Sequence, residues 1–273
     1  MKNAPPSGAE EEAAMEKKKA RRVRRAACIA AAVVLAAGIF LLAQMRTRYT
    51  GEVAVAAEDT AIDISADTGL RLQLNMRYHL RCMLFKAENA FGSPPQVVFV
   101  GDSITELADL EQMYPAFTSA NRGIAGDTTR GILCRMEESV YGVGAQVVVL
   151  LAGINDLDGE RRTPANTAES YGRIVREIRA HCPQARLVLQ SVYPTADPAM
   201  TARVRELNGY IRSIAAEYGC TYIDVFSSLA AEGGLLPAAW SEDGLHPNGT
   251  GYAVVAKAVA PVIERELAEC RTG

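Results

Sequence analysis

Three short Val/Leu-rich runs, at 97–100, 146–152 and 186–192, lack the polar alternation of a half-wet strand. Strands that are apolar at successive positions are buried on both faces, which is the condition inside a parallel sheet. Weaker runs lie at 118–122 and 221–225. Helical segments fall between and after them, at 128–139, from Thr163-Pro164 to Cys182-Pro183, at 200–218 and at 249–268. The second is the clearest: Thr163 caps it, Pro164 takes the first helical position, and Tyr171, Ile174, Val175 and Ile178 line one face. Strand–helix alternation of this kind predicts a doubly wound α/β domain. Residues 70–90 are ambiguous, because Leu70, Leu72, Leu74, Met76, Tyr78 and Leu80 alternate while Tyr78, Cys82 and Phe85 have helical spacing. The reading adopted is a helix from about residue 73.

Ligands of such sheets bind beyond the carboxyl ends of the strands. Polar turns stand at those places. Gly101-Asp102-Ser103-Ile104 closes the first run, and Asn121-Arg122-Gly123 and Gly153-Ile154-Asn155-Asp156 close later ones. Asp243-Gly244-Leu245-His246 precedes the last helical segment. A serine hydroxyl is a weak nucleophile until a base takes its proton. The chain has three histidines, and only His246 has an aspartate three residues upstream in a predicted loop. Asp243 can hold one ring nitrogen protonated and leave the other to accept from Ser103. An ester carbonyl under attack becomes an oxyanion, for which the expected donors are the backbone N–H groups of Ser103 and Gly123 and the Asn155 amide. Gly123 is suited to close approach by having no Cβ. Asp102 and Asp156 are read as turn-forming or loop-bonding residues, Asp127-Thr128-Thr129 as a helix start, Arg122 as half of an ion pair, and His181 as a partner of the last carbonyls of its helix. For Tyr193 and Trp240, an acyl-pocket role and plain packing are both open.

The four blocks Gly101-Asp102-Ser103-Ile104, Asn121-Arg122-Gly123-Ile124, Gly153-Ile154-Asn155-Asp156 and Asp243-Gly244-Leu245-His246-Pro247-Asn248 resemble, in order, the signature blocks of the SGNH hydrolase superfamily, the GDSL-type esterases and lipases. The resemblance covers about residues 75–268. It implies a flavodoxin-like three-layer α/β/α sandwich around a five-stranded parallel sheet. It also implies Ser103 as nucleophile, His246 as base, Asp243 as third triad member, and Ser103, Gly123 and Asn155 as oxyanion donors. Asn-Arg-Gly-Ile followed by Gly126-Asp-Thr-Thr is most similar to the compact bacterial branch near the platelet-activating-factor acetylhydrolases, which implies short acyl groups. The expected substrate is a small-molecule, glycan or lipid ester. Lysophospholipase and thioesterase activities belong to the same superfamily and remain alternatives.

Gly101-Asp-Ser103-Ile-Thr105 is not Gly-x-Ser-x-Gly, so an α/β-hydrolase elbow is not indicated. A phosphate or flavin binder is the rival from another class, but Gly123-Ile-Ala-Gly126-Asp-Thr-Thr lacks the P-loop lysine and no Gly-x-Gly-x-x-Gly occurs. A non-catalytic glycan-binding module is a further rival, opposed by the presence of all four signature residues. No organic cofactor or metal is implied, and no Cys/His spacing suggests zinc. Catalysis of the favoured kind needs an unprotonated imidazole, so activity is expected to rise through about pH 6–7, where free histidine titrates.

The front of the chain has a different character. Residues 1–45 carry eight Lys/Arg against four Glu, and the remainder carries 21 against 28. An acidic body argues against a nucleic-acid partner. The basic block 17–25 precedes an uncharged apolar run at 26–43, about the length that crosses a roughly 30 Å hydrocarbon core. The expected organisation is a cytoplasmic basic tail (1–25), a transmembrane signal anchor (26–45), a tether (46–72) and an SGNH hydrolase domain (73–273) outside the cell membrane. Secretion after cleavage near Ala54-Val55-Ala56 is the alternative. Of the six cysteines, Cys28 falls in the proposed span. Cys182 and Cys220 each precede neighbouring predicted strands, and a disulfide between them and two buried thiols are both open.

Overall fold

The computed structural model describes residues 76–271. Its strands are β1 (Val97–Gly101), β2 (Ser119–Gly123), β3 (Val147–Leu151), β4 (Arg186–Gln190) and β5 (Thr221–Ile223). They form one parallel sheet in the order β2-β1-β3-β4-β5. Every residue of β1 and β3 is buried, as expected for strands covered on both faces. The edge strands β2 and β5 are partly exposed, which is why their sequence signal is weak.

The helices are α1 (Met76–Phe91), α2 (Ser103–Glu106), α3 (Leu110–Met113), α4 (Thr129–Leu133), α5 (Ile154–Leu157), α6 (Pro164–His181), α7 (Pro198–Glu217), α8 (Val225–Leu229) and α9 (Gly249–Cys270). Polar side chains start most of them: Thr163 accepts from Asn166 N–H, Asp197 from Ala199 N–H, and Asn248 from Thr250 and Gly251 N–H. Helix α6 packs against α7, and α9 packs against α8 and strands β3 to β5.

The register sets the functional edge. Gly101 lies level with Gly123 on one side and with Leu151 on the other. The chain leaves β1 for β2 in one direction and then crosses to β3 in the other. The strand order therefore reverses beside β1, and a crevice opens between the carboxyl ends of β1 and β3. Ser103 and Asn155 follow those two ends.

Several expectations change. The helix expected at 128–139 stops at Leu133. Its bonds tighten to the i−3 spacing at Cys134 and Arg135, and a π-helical turn follows at Glu137–Tyr141. This break lets the Arg135 side chain turn into the core, where it is 1% exposed. The run at 221–225 ends as a strand at Ile223, because Asp224 caps α8 by accepting from Ser227 N–H. The ambiguous front segment is helical over 76–91. Tyr78, Cys82 and Phe85 pack against Ile124, while Leu80 and Leu84 face outward. No Cys182–Cys220 disulfide forms, and Cys82, Cys134, Cys182, Cys220 and Cys270 are free thiols. The Cys220 sulfur is instead occupied by the Arg179 guanidinium at 3.5 Å and the Tyr218 carbonyl at 3.7 Å. The basic tail (1–25), the anchor (26–45) and the tether (46–72) lie outside the described residues. Among the described residues, no helix is long and apolar enough to cross a membrane.

Thermal unfolding should give the same midpoint with and without a thiol reductant. A drop of several degrees on reduction would mean that a disulfide contributes after all.

Candidate active site

Asp102, the last residue before α2, caps that helix: its Oδ1 accepts from Ile104 N–H at 2.9 Å. Ser103 is thereby the first helical residue, so its own N–H has no acceptor within the helix. Gly101 allows the turn because a Cβ there would meet the Leu151 carbonyl at 2.5 Å and the Thr105 hydroxyl at 2.2 Å. The last carbonyls of α2 are satisfied from β2, where Asn121 Nδ2 donates to the Thr105 carbonyl at 2.7 Å.

His246 reaches Ser103 across 143 positions of sequence, with Nε2 and Oγ 2.8 Å apart. Its Nδ1 is 2.6 Å from Asp243 Oδ2. The three-residue step between Asp243 and His246 is a local turn built on the carboxylate. Asp243 Oδ1 accepts from the N–H groups of Leu245 at 2.9 Å and His246 at 2.8 Å, which turns the chain so that Oδ2 meets the ring. Gly244 serves this turn with φ of 79°, and a Cβ there would press on Ala196 at 2.7 Å. Ser241 braces it from below, bonding to Asp243 Oδ1 and accepting from Gly244 N–H. The hydrogen bond from His246, followed by the backbone N–H groups, holds the Asp243 carboxyl well below the usual carboxylate range. An ionised Asp243 keeps the proton on Nδ1 and leaves Nε2 to accept from the Ser103 hydroxyl.

Asn155 opens α5 after the β3 end, and its Nδ2 donates to the Asp127 carbonyl at 2.8 Å. An amide nitrogen carries two hydrogens, so a second remains for another acceptor. Asn155 is thus tied to the loop between β2 and α4. Gly123 does not face this space. It is buried, its N–H donates to Asn121 Oδ1 at 2.9 Å, and a Cβ there would lie 2.2 Å from the Glu106 nitrogen. The expectation of Gly123 as an oxyanion donor is therefore corrected: this glycine permits β2 to touch α2. The glycine of the same loop that is exposed is Gly126, with φ of 80° and open space where a Cβ would stand.

Three carboxylates lie buried at this edge. Asp127 is paired with Arg135, whose Nε is 2.7 Å away with both side chains inaccessible. Asp156 accepts from the backbone and hydroxyl of Thr129, and burial still pushes its carboxyl up to about 6. Asp102 is 1% exposed and its Oδ2 makes no hydrogen bond. Burial pushes its carboxyl up to about 7, against the pull of the Ile104 N–H and of His246. Asp102 and Asp156 are thus the turn-forming and loop-bonding residues expected, Thr128 caps α4, and Arg122 pairs with Glu88. His181 Nδ1 is 3.0 Å from the Glu177 carbonyl near the end of α6.

Tyr193 is a core residue, 3% exposed, with its hydroxyl 2.8 Å from Gln190 Oε1. It lines a small pocket with Ile104 and Tyr252. Trp240 is half-buried and braces the start of α9, its carbonyl accepting from Asn248 N–H at 2.8 Å. Sequence reasoning missed Glu106. Its Oε2 accepts from Ala125 N–H at 2.6 Å, and its Oε1 is 2.9 Å from Arg77 of α1. The available signal was a carboxylate three positions after the serine, on the same short helix.

A serine, an imidazole and a carboxylate joined in line at the carboxyl edge of a doubly wound sheet is the arrangement of a serine hydrolase. Residues 99–254 match the model of the GDSL-like Lipase/Acylhydrolase family. The rat platelet-activating factor acetylhydrolase IB subunit alpha2 is 26% identical over 64% of this chain and 79% of its own length. Among solved structures, a GDSL-like lipase from Bacteroides thetaiotaomicron superposes with a TM-score of 0.61 at 24% identity, covering 67% of this chain and 97% of that one. An acetylxylan esterase from Geobacillus stearothermophilus superposes with a TM-score of 0.52 at 22% identity, covering 64% and 95%. The chain belongs to the GDSL-like lipase/acylhydrolase family, within the SGNH hydrolase superfamily, and is a carboxylic ester hydrolase.

The buried Asp102 carboxyl has a consequence for stability. Between its ordinary value of 3.8 and its raised value of about 7, the folded protein keeps a proton that the unfolded chain gives up. Stability therefore falls as pH rises through that window. Asp102→Asn keeps the cap and removes the ionisation. Its melting temperature should exceed the parent's at pH 8 and match it near pH 4; equal midpoints at both pH values would show that the carboxylate is not desolvated.

Proposed function

We propose that the chain is a membrane-anchored serine esterase that removes short acyl groups, acetyl foremost, from a glycan or lipid ester through an acyl-enzyme on Ser103. The observation that carries this reading is the bridge made by His246, 2.8 Å from Ser103 Oγ and 2.6 Å from Asp243 Oδ2. In the forward step Oγ bonds to the ester carbonyl carbon while its proton passes to His246 Nε2. The imidazolium is stabilised by ionised Asp243. The tetrahedral intermediate collapses by breaking the bond to the alcohol oxygen, which takes the proton from Nε2. Water then repeats the sequence on the acyl-enzyme and releases the acid.

The oxyanion is assigned to the Ser103 N–H and to the second hydrogen of Asn155 Nδ2, whose first is bonded to the Asp127 carbonyl. The short-acyl reading is supported by the names of relatives, an acetylhydrolase and an acetylxylan esterase. The anchor is assigned to residues 26–45, on the strength of the uncharged apolar run behind seven basic residues. It would leave the hydrolase domain outside, beside envelope or external polymers and lipids.

The purified full chain should hydrolyse 4-nitrophenyl acetate faster than the octanoate, and Ser103→Ala should abolish both activities and labelling by a fluorophosphonate. A many-fold preference for octanoate would reject the acetyl assignment, and undiminished activity in Ser103→Ala would reject the mechanism. Asn155→Ala should lose roughly 10²–10³ in kcat with the fold intact; a loss below about threefold would remove Asn155 from the oxyanion site. Alkaline carbonate washing should leave the full chain in the membrane fraction, whereas a chain lacking residues 1–45 should be released; release of both would sink the anchor.

A further inference from the structure

We infer that the outer face of α1 lies on a bilayer surface and seats the hydrolase domain there. The choice of partner rests on the anchor proposed above.

Helix α1 is apolar on two opposite sides. Tyr78, Cys82 and Phe85 turn inward and pack against Ile124. On the other side Leu80, Leu84, Ala87 and Phe91 recur at i, i+4, i+7 and i+11, the spacing of one helical face. All four are exposed, and the three large ones by 46%, 52% and 91%. A leucine exposed singly needs no explanation. Here three of the five exposed large hydrophobic side chains among the described residues share one stripe.

The charges around the stripe are those of an interfacial helix. Glu88 is the only carboxylate of α1, and Arg122 holds it. Arg77 and Lys86 stand on opposite borders of the stripe. Both side chains are more than half exposed, while their partners Glu106 and Glu138 are largely covered. The cationic heads thus face outward with their carboxylates behind them. An apolar stripe bordered by Lys and Arg suits the boundary between anionic headgroups and acyl chains.

Two arguments favour a bilayer over a second copy of the chain. A stable protein interface takes about 1,000 Å² or more, and one stripe with three large side chains falls short of that. A bilayer, by contrast, moulds itself to any convex helix. The proposed anchor also keeps a membrane within reach, because residues 46–75, which separate it from α1, extend to roughly 100 Å at most. The consequence for function lies in Arg77, which bonds to Glu106 of α2 at 2.9 Å. A bilayer under α1 therefore lies beside the short helix that begins with Ser103, where a lipid ester is presented.

The test uses the full chain assembled into vesicles of phosphatidylcholine and phosphatidylglycerol, with and without bromine on the acyl chains. Trp240 is the only tryptophan, so the parent supplies the background. Leu84→Trp and Phe91→Trp each add an indole to the stripe, and Tyr210→Trp adds one to an exposed position of α7 as a control. Set about 5–10 Å into the boundary, the indoles at 84 and 91 should lose at least about half of their emission to the bromine, and the one at 210 little. Both stripe variants should keep the parent's turnover of 4-nitrophenyl acetate, and Ala87→Trp replaces one that does not. If both stripe indoles stay unquenched while the chain resists carbonate extraction, the docking is refuted and the anchor stands. If carbonate releases the chain but the bound chain is quenched at both positions at neutral pH, the anchor fails and the docking stands. If the chain is released and unquenched, both fail. Equal quenching at position 210 also refutes the docking. So do stripe indoles with blue-shifted but unquenched emission, the signature of a second copy over the stripe.

Discussion

A guanidinium shut away from water holds the working edge of this sheet together. Arg135 is fully buried, and such a charge is tolerable only when paired and hydrogen-bonded. It donates to the Asp127 carboxylate at 2.7 Å, the Ser139 hydroxyl at 2.7 Å, and the carbonyls of Arg122 and Gly101, each at 2.9 Å. Those two carbonyls lie at the ends of β2 and β1, and Gly101 is two residues before the serine. One side chain thus spans the roots of the serine turn and of the loop that follows β2. Arg81 and Arg122 lie near it, all three guanidiniums within 5.8 Å of the Phe85 ring. Burial weakens the solvent screening that would make such pairs negligible on a surface. Removing either partner of the Arg135–Asp127 pair would strand the other at a cost of about 3–5 kcal/mol.

The site combines a local device with a distant one. Asp243 and His246 organise each other through a turn of four residues, in which one carboxylate oxygen gathers backbone N–H groups and the other orients the ring. That unit has to be delivered to Ser103 by the packing of α9 and its preceding loop. The delivery is direct: Asn248 caps α9 immediately after the histidine, and Tyr252 on its first turn donates to the Ile104 carbonyl at 2.7 Å, one residue beyond the serine. Electrostatics then separate the roles of the aspartates. Asp243 is exposed, hydrogen-bonded and held ionised, whereas Asp102 is buried, capped on one oxygen only and pushed toward its neutral form. Two carboxylates near one imidazole thus carry different charge because their surroundings differ.

Much of this was legible before any coordinates. The unbroken apolar runs of β1 and β3 and the Leu-Val-Leu centre of β4 read as interior strands, and Thr163-Pro164 announced the start of α6. Ser103, Asp243 and His246, which the fold joins in line, were legible because their residue types are scarce or sit in ordered motifs. What stayed hidden depended on direction. Gly123 and Gly126 are three residues apart in one turn, and only the fold tells that the N–H of the first is consumed by Asn121 while the second lies exposed. The break after Leu133 was invisible because Arg135 reads as a surface residue until its four acceptors converge. The Cys182–Cys220 pairing was suggested by neighbouring strands, but adjacency says nothing of where two sulfurs point. Glu106 was overlooked because its bond to the loop goes to a backbone group, which leaves no trace in residue type, and its arginine partners stand on a distant helix.

The 143-residue span between the serine and its imidazole partner has a meaning for biosynthesis. A chain emerges from the ribosome N-terminus first. Ser103, the loop after β2 and Asn155 can all take their places while the segment bearing Asp243 and His246 is still inside the exit tunnel. Until that segment arrives, Ser103 has no base, and the nascent domain is chemically silent. Activity would thus appear only when the turn bearing Asp243 and His246 docks against Ser103, late in the synthesis of the domain.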